Sequence, residues 1–147
     1  MSRGAAGLPL LTLAAAALLA AGCGGDETQS KTAWVEQADD ICAAADQDLN
    51  QAVEDQFGGN TPPDDAEQEQ FVTDEVIPSL QSQHDEIADL SAPEGAEEQA
   101  DALLAALQSG IDALEADPAS IQAAGADAPL AKANQLADKL GLTDCGG

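Results

Sequence analysis

From residue 31 to residue 57 apolar side chains recur at Val35, Ala38, Cys42, Ala45, Leu49 and Ala52. Spacings of three and four put them on one helix face, which Ile41 and Val53 widen. Polar and acidic residues fill the opposite face, so Lys31 to Phe57 predicts one long amphipathic helix made to lie in a groove. Ser30 or Thr28 stands where an N-cap is needed, and Gly58-Gly59 where a left-handed residue closes the end. Asn60-Thr61-Pro62-Pro63 predicts the first turn.

The same period returns from about Asp64 to Leu90, with Phe71, Val72, Val76, Ile77, Leu80, Ile87 and Leu90 on the apolar side. Asp64, Asp65, Glu67 and Glu69 suit the positive end of its dipole. Pro78 interrupts this run. Proline lacks a backbone donor and crowds the carbonyl four residues earlier, so a kink is expected between Asp74 and Pro78, since the pattern continues on both sides.

After the break Ser91-Ala92-Pro93-Glu94-Gly95, a third helix is predicted from about Ala96 to Ala116, on Ala100, Leu103, Leu107 and Leu114 with Leu104 and Ile111 beside them. Asp117-Pro118 reads as a cap and a first-turn proline, opening a short helix that Gly125 stops. Asp127-Ala128-Pro129 repeats the signal for a last helix carrying Leu130, Ala133, Leu136, Ala137 and Leu140, ended by Gly141. Alternating β-branched strand patterns are missing. The expected fold is all-α, an antiparallel bundle of about four helices plus a short extra one, with the tail 142–147 able to reach the first helix.

The N-terminal pattern is of another kind. Arg3 precedes an apolar run from Leu8 to Ala21 that is too short for a comfortable membrane span, and Ala20-Ala21-Gly22-Cys23 follows. Residues 1–22 are therefore expected to be a signal peptide ending in a lipobox, with diacylglyceryl carried on Cys23. Ala20 stands where the motif usually has leucine. An ordinary signal peptide leaving Cys23 free, or an uncleaved anchor, is the alternative. Residues 23–30 read as a flexible tether and 31–147 as the domain. Two acyl chains meet the requirement for stable anchoring, so the membrane is an expected partner on the extracytoplasmic face.

Composition narrows the choice further. Of 147 residues, 28 are acidic and 4 basic, a formal net charge of −24. Every acid follows Cys23, and beyond Arg3 there is no arginine. Such a surface repels phosphate backbones and anionic head groups, which excludes nucleic acid as a partner and holds the domain off the membrane plane. Only Trp34, Phe57 and Phe71 are aromatic, so aliphatic side chains fill the core.

Three cysteines make an odd number until Cys23 is assigned to lipid. Cys42 and Cys145 then remain, and export permits a disulfide between them. Closing a loop of roughly 100 residues is worth about 4.7 kcal/mol in the chain-entropy model. The alternative leaves Cys42 as a small apolar residue of the stripe and Cys145 as a free thiol.

Candidate chemistry is thin. His84, the single histidine, sits at the border of the apolar stripe, where it serves as a general base or ligand only if other groups converge on it; a half-buried polar residue with one partner is the plainer expectation. Asp46, Asp48 and Asn50 begin like a calcium loop, but Gln51 and Phe57 occupy the positions that need glycine and a bidentate glutamate. Glu94, Glu97, Glu98 and Asp101, like Asp85 and Asp89, read as solvated faces. No P-loop, dinucleotide turn, zinc-protease helix or nucleophile elbow occurs. No cofactor, metal site or catalytic residue is assigned and an enzyme is not expected. What remains is a binding or interaction module of the cell envelope, taking an envelope protein or a small ligand. The alternatives are a carrier of a small ligand or divalent cation, using a pocket near Pro78 and His84, and behind it an enzyme using His84 with a carboxylate.

Taken together, the lipobox at Cys23, the segment Trp34-Val35-Glu36-Gln37-Ala38-Asp39-Asp40-Ile41-Cys42, the interrupted helix at Val76-Ile77-Pro78 and the ending Gly141-Leu142-Thr143-Asp144-Cys145-Gly146 resemble small exported lipoproteins of high-GC Gram-positive bacteria (Actinomycetota). The resemblance covers most of the chain after Cys23. It implies an envelope location, helices and a Cys42 to Cys145 bridge, and carries no activity with it.

Overall fold

The computed structural model describes residues 30–58, 63–125 and 128–146. The expected signal peptide, most of the tether and Cys23 lie outside the described residues.

Helix α1, Lys31–Phe57, begins where Ser30 Oγ accepts the backbone N–H of Ala33 at 3.3 Å. Gly58 ends it with φ −62°, outside the left-handed region, and Gly59, the other glycine of the expected closure, lies outside the described residues. Helix α2, Asp65–Phe71, opens on a reciprocal capping box: the Glu67 N–H donates to Asp64 Oδ1 and the Asp64 N–H to Glu67 Oε2, each at 2.9 Å. The chain then makes a π-helical turn, Val72–Val76, and continues as α3, Ile77–Asp89.

The π turn is what the structure places ahead of Pro78. The Ile77 N–H reaches back five residues to the Val72 carbonyl, and the wider turn gives room to the ring that a regular α-turn would press against a carbonyl.

Helix α4, Glu97–Ala116, follows the loop through Pro93, which is itself fully buried. The short helix expected to run to Ala124 is a 3-10 turn, Pro118–Gln122. Asp117 does not cap it through its side chain; its carbonyl instead accepts from the Ser120 N–H at 3.0 Å and from Ser120 Oγ at 2.6 Å. Five residues satisfy their carbonyls better by the tighter pattern. Helix α5, Ala131–Leu140, ends at Gly141, whose φ of 96° is the left-handed closure. The expected cap at Asp127 lies outside the described residues.

The molecule is an all-α bundle with no strand among the described residues. Helix α3 packs between α1 and α4, α4 packs on α5, and the tail after α5 returns to α1. Trp34, Ala38, Cys42, Leu103, Ile111, Leu114, Ala137, Leu140 and Leu142 belong to one buried cluster, and no polar side chain is buried among the described residues.

Two placements differ from the hydrophobic pattern. Trp34, outside the predicted stripe, is among the most deeply buried side chains at 1% exposure, and Val35 is only half-buried. Beyond Cys42, no residue of α1 is fully buried: Ala45, Leu49 and Ala52 are half-covered, and Val53 is 42% exposed. The reason is length. At about 1.5 Å per residue α1 extends about 40 Å and α3 only about 20 Å, and α3 and the π turn are the helical neighbours of α1.

A third placement has no apolar signature. Gly110 is buried on α4 where a Cβ would stand 2.5 Å from Leu130 Cδ2 and 2.9 Å from the Pro129 carbonyl oxygen. The corner leading into α5 therefore lies directly on the α4 backbone.

Candidate functional site

The C-terminal tail is held to α1 by three devices. The sulfurs of Cys42 and Cys145 lie at disulfide distance with their Cα atoms 5.2 Å apart. The Asp39 carboxylate accepts the Thr143 N–H at 2.9 Å, the Asp144 N–H at 3.1 Å and the Thr143 hydroxyl at 3.2 Å. Leu142, 1% exposed, drops into the core. Asp39 and Cys42 are three residues apart on α1, which puts them side by side on one face.

Two cavities flank this closure. The first, of about 290 Å³, lies between α1 and α3, floored by Ile41, Ala45, Leu49 and Pro78 and rimmed by Asp48, Glu75 and Glu86. Its α1 lining, from Ile41 to Leu49, lies along a helix whose helical neighbours are α3 and the π turn. The second, of about 230 Å³, is walled by all four helical layers and the tail: Cys42 and Leu49 from α1, Leu80 and Ile87 from α3, Leu103 and Leu107 from α4, Ala133 from α5, and Cys145. Its polar lining residues are the exposed Asp46 and Asp144 and the half-buried Gln83 and Asn134. Leu49 contributes to both spaces.

His84 lines neither cavity. It is half-buried, with Nδ1 3.1 Å from Oδ1 of Asp85 on the next position of the same helix. Neighbouring helix positions ordinarily point apart; here the exposed Asp85 side chain bends back to the ring. The pocket expected near both Pro78 and His84 thus forms at Pro78 and leaves the histidine out.

Among the described residues no three His, Cys, Asp or Glu side chains converge to hold a metal ion. Asp46, Asp48 and Asn50 are exposed within the continuous helix α1, so the calcium-loop spelling has no loop to act in. Glu94, Glu97, Glu98 and Asp101 are likewise exposed. Backbone N–H groups of Glu97 and Gly95 hold the Glu97 carboxyl below the usual carboxylate range. It does at the α4 N-terminus what Ala96, with no side-chain acceptor, leaves undone. No helix among the described residues is long and apolar enough to cross a membrane.

Periodicity alone did not reveal the Asp39 contact, the Gly110 contact or the second cavity. Gly110 left a trace, because a glycine inside an otherwise strong helical pattern asks for a packing reason. Asp39 left none, being one acid among many. No family model, curated protein or solved structure matches this chain.

Proposed function

We propose that this chain is a lipid-anchored, extracytoplasmic lipoprotein whose helical bundle serves as a binding module of the cell envelope. The observation that carries it is the use of the cysteines. Cys42 and Cys145 lie at disulfide distance, a pairing that persists in oxidising, exported compartments. Cys23, the third cysteine, follows directly on the apolar run and the small residues Ala21-Gly22. The net charge of −24 supports a domain held by lipid rather than by attraction to anionic head groups.

Binding is favoured over catalysis because His84, which pairs with Asp85, lines neither cavity. The largely apolar cavity beside the disulfide favours, within this reading, the carriage of a small ligand.

The test is fractionation of the full chain and its Cys23→Ser variant from the native host, with intact mass before and after reduction. The parent should sediment with membranes, gain mass beyond the protein cut before Cys23, and show two new thiols on reduction. The variant should be soluble. A variant that still sediments overturns the anchor.

A further inference from the structure

We propose that the cavity beside the disulfide is a binding site for a small apolar molecule bearing a cationic head, of the alkylammonium class. The inference rests on the reading of the bundle as a binding module and names the chemistry of its ligand. The interior decides the tail. At about 230 Å³ the space exceeds the hydrocarbon-lined cavity of about 150 Å³ that is known to admit benzene. Its floor is Leu80, Ile87, Leu103 and Leu107, with no charged side chain among the buried residues.

The polar lining decides the head. The charged residues lining the space, Asp46 and Asp144, are both acidic and exposed, and the half-buried Gln83 and Asn134 that line it with them carry amide oxygens able to accept hydrogen bonds. No lysine lines the space. An anionic head would meet these carboxylates and a chain of net charge −24, whereas an ammonium meets acceptors on several sides. A head beside these exposed residues keeps its water while the tail is buried, so neither part is left unsatisfied. The disulfide enters as construction: Cys145 and Asp144 form one wall, and that wall stands where it does because the tail is tied to α1.

The test uses the full chain in lipid nanodiscs, with protein-free discs as the blank, titrated calorimetrically with n-hexylammonium, 1-hexanol and hexanoate. Hexylammonium should bind about five- to tenfold more tightly than hexanol, the span expected of two partly solvated carboxylates, and hexanoate most weakly. Asp46→Asn combined with Asp144→Asn should bring the ammonium and the alcohol to within twofold of each other. Ala133→Leu, which fills the space, should weaken every probe at least tenfold. Methyl NMR on the unsubstituted chain gives a readout that does not depend on a variant folding: the probe should contact the Leu80, Leu103 and Leu107 methyls. No binding at millimolar probe, equal affinities for all three, or contacts confined to surface methyls would each overturn the proposal. Fractionation of Cys23→Ser is independent of these titrations, so the anchor and the ligand class stand or fall separately.

Discussion

The carboxylate of Asp39 accepts the backbone N–H of Thr143 at 2.9 Å, joining positions 104 residues apart. Two further bonds, from the Asp144 N–H and the Thr143 hydroxyl, converge on the same carboxylate. A carboxylate that receives two backbone donors and a hydroxyl acts as a clamp, because charged acceptors make the stronger hydrogen bonds. Asp39→Ala should cost about 1–2 kcal/mol in urea unfolding, the lower part of the range for charged bonds since the site is half-exposed. Amide exchange at Thr143 and Asp144 should quicken by a larger factor than the global change, since the disulfide still tethers the tail. Unchanged exchange at those two amides would show the clamp to be inert.

The bridge itself carries more. Its sequence separation is 103 residues, and a loop of about 100 residues is worth about 4.7 kcal/mol of denatured-state entropy, less whatever structure the open chain retains. Cys42→Ala with Cys145→Ala is expected to lose about 3–4 kcal/mol, measured by urea unfolding with the parent kept oxidised. A loss below about 1 kcal/mol would mean that the clamp and Leu142 suffice to seat the tail.

Gly110→Ala is a test in which two effects have opposite signs. At an exposed helix position alanine would stabilise by about 0.5–1 kcal/mol. At Gly110 the new Cβ meets Leu130 Cδ2 at 2.5 Å and the Pro129 carbonyl oxygen at 2.9 Å, and the second of these is backbone that cannot rotate away. Overpacking of this kind costs about 1–3 kcal/mol, so the variant should melt lower than the parent. A higher melting temperature would mean that the 129–130 corner yields easily.

These results mark what was legible in the chain. The 27 residues of α1 fall where the three-and-four spacing and Ser30 place them, because helix period and capping are local properties. The placement of Trp34 was not, since a stripe drawn through Val35 and one drawn through Trp34 differ by one position and only the neighbouring helices choose between them. The uncovered half of α1 was illegible for a related reason: the pattern tells which face is apolar, and the extent of α3 and the π turn beside it tells how much of it is met. The closure at Asp39 depends on a backbone amide brought from the far end of the chain, which no local pattern encodes.

Glu97 supplies the pH prediction. Its folded carboxyl titrates below its ordinary value near 4.5, through the N–H groups of Glu97 and Gly95. A depressed carboxyl contributes stability that is present above the unfolded value and lost as pH falls through the folded one. The stability difference between the parent and Glu97→Gln should therefore be steady near neutrality and shrink as pH drops below about 4.5, followed by urea unfolding at each pH. A difference that grows on acidification would contradict the assignment.

Salt should act on the whole surface. With 28 acids against 4 basic residues, the folded chain concentrates like charge that the unfolded chain disperses. Raising potassium chloride from about 20 mM to about 500 mM shortens the screening length several-fold. The melting temperature should rise by about 5 °C, which corresponds to relief of roughly 1 kcal/mol in a domain of this size. A fall would mean that attractive pairs outweigh the repulsion.

The link between Cys42 and Cys145 also changes what a protease can do to this protein. Residues 42–145 form a covalent ring, and a single cut anywhere within that ring opens it without releasing a piece. The nicked chain stays one molecule until it is reduced, with α1 still joined through Cys42 to the tail that packs on it. A nick in one of the outer loops of such a domain therefore leaves its two pieces covalently joined.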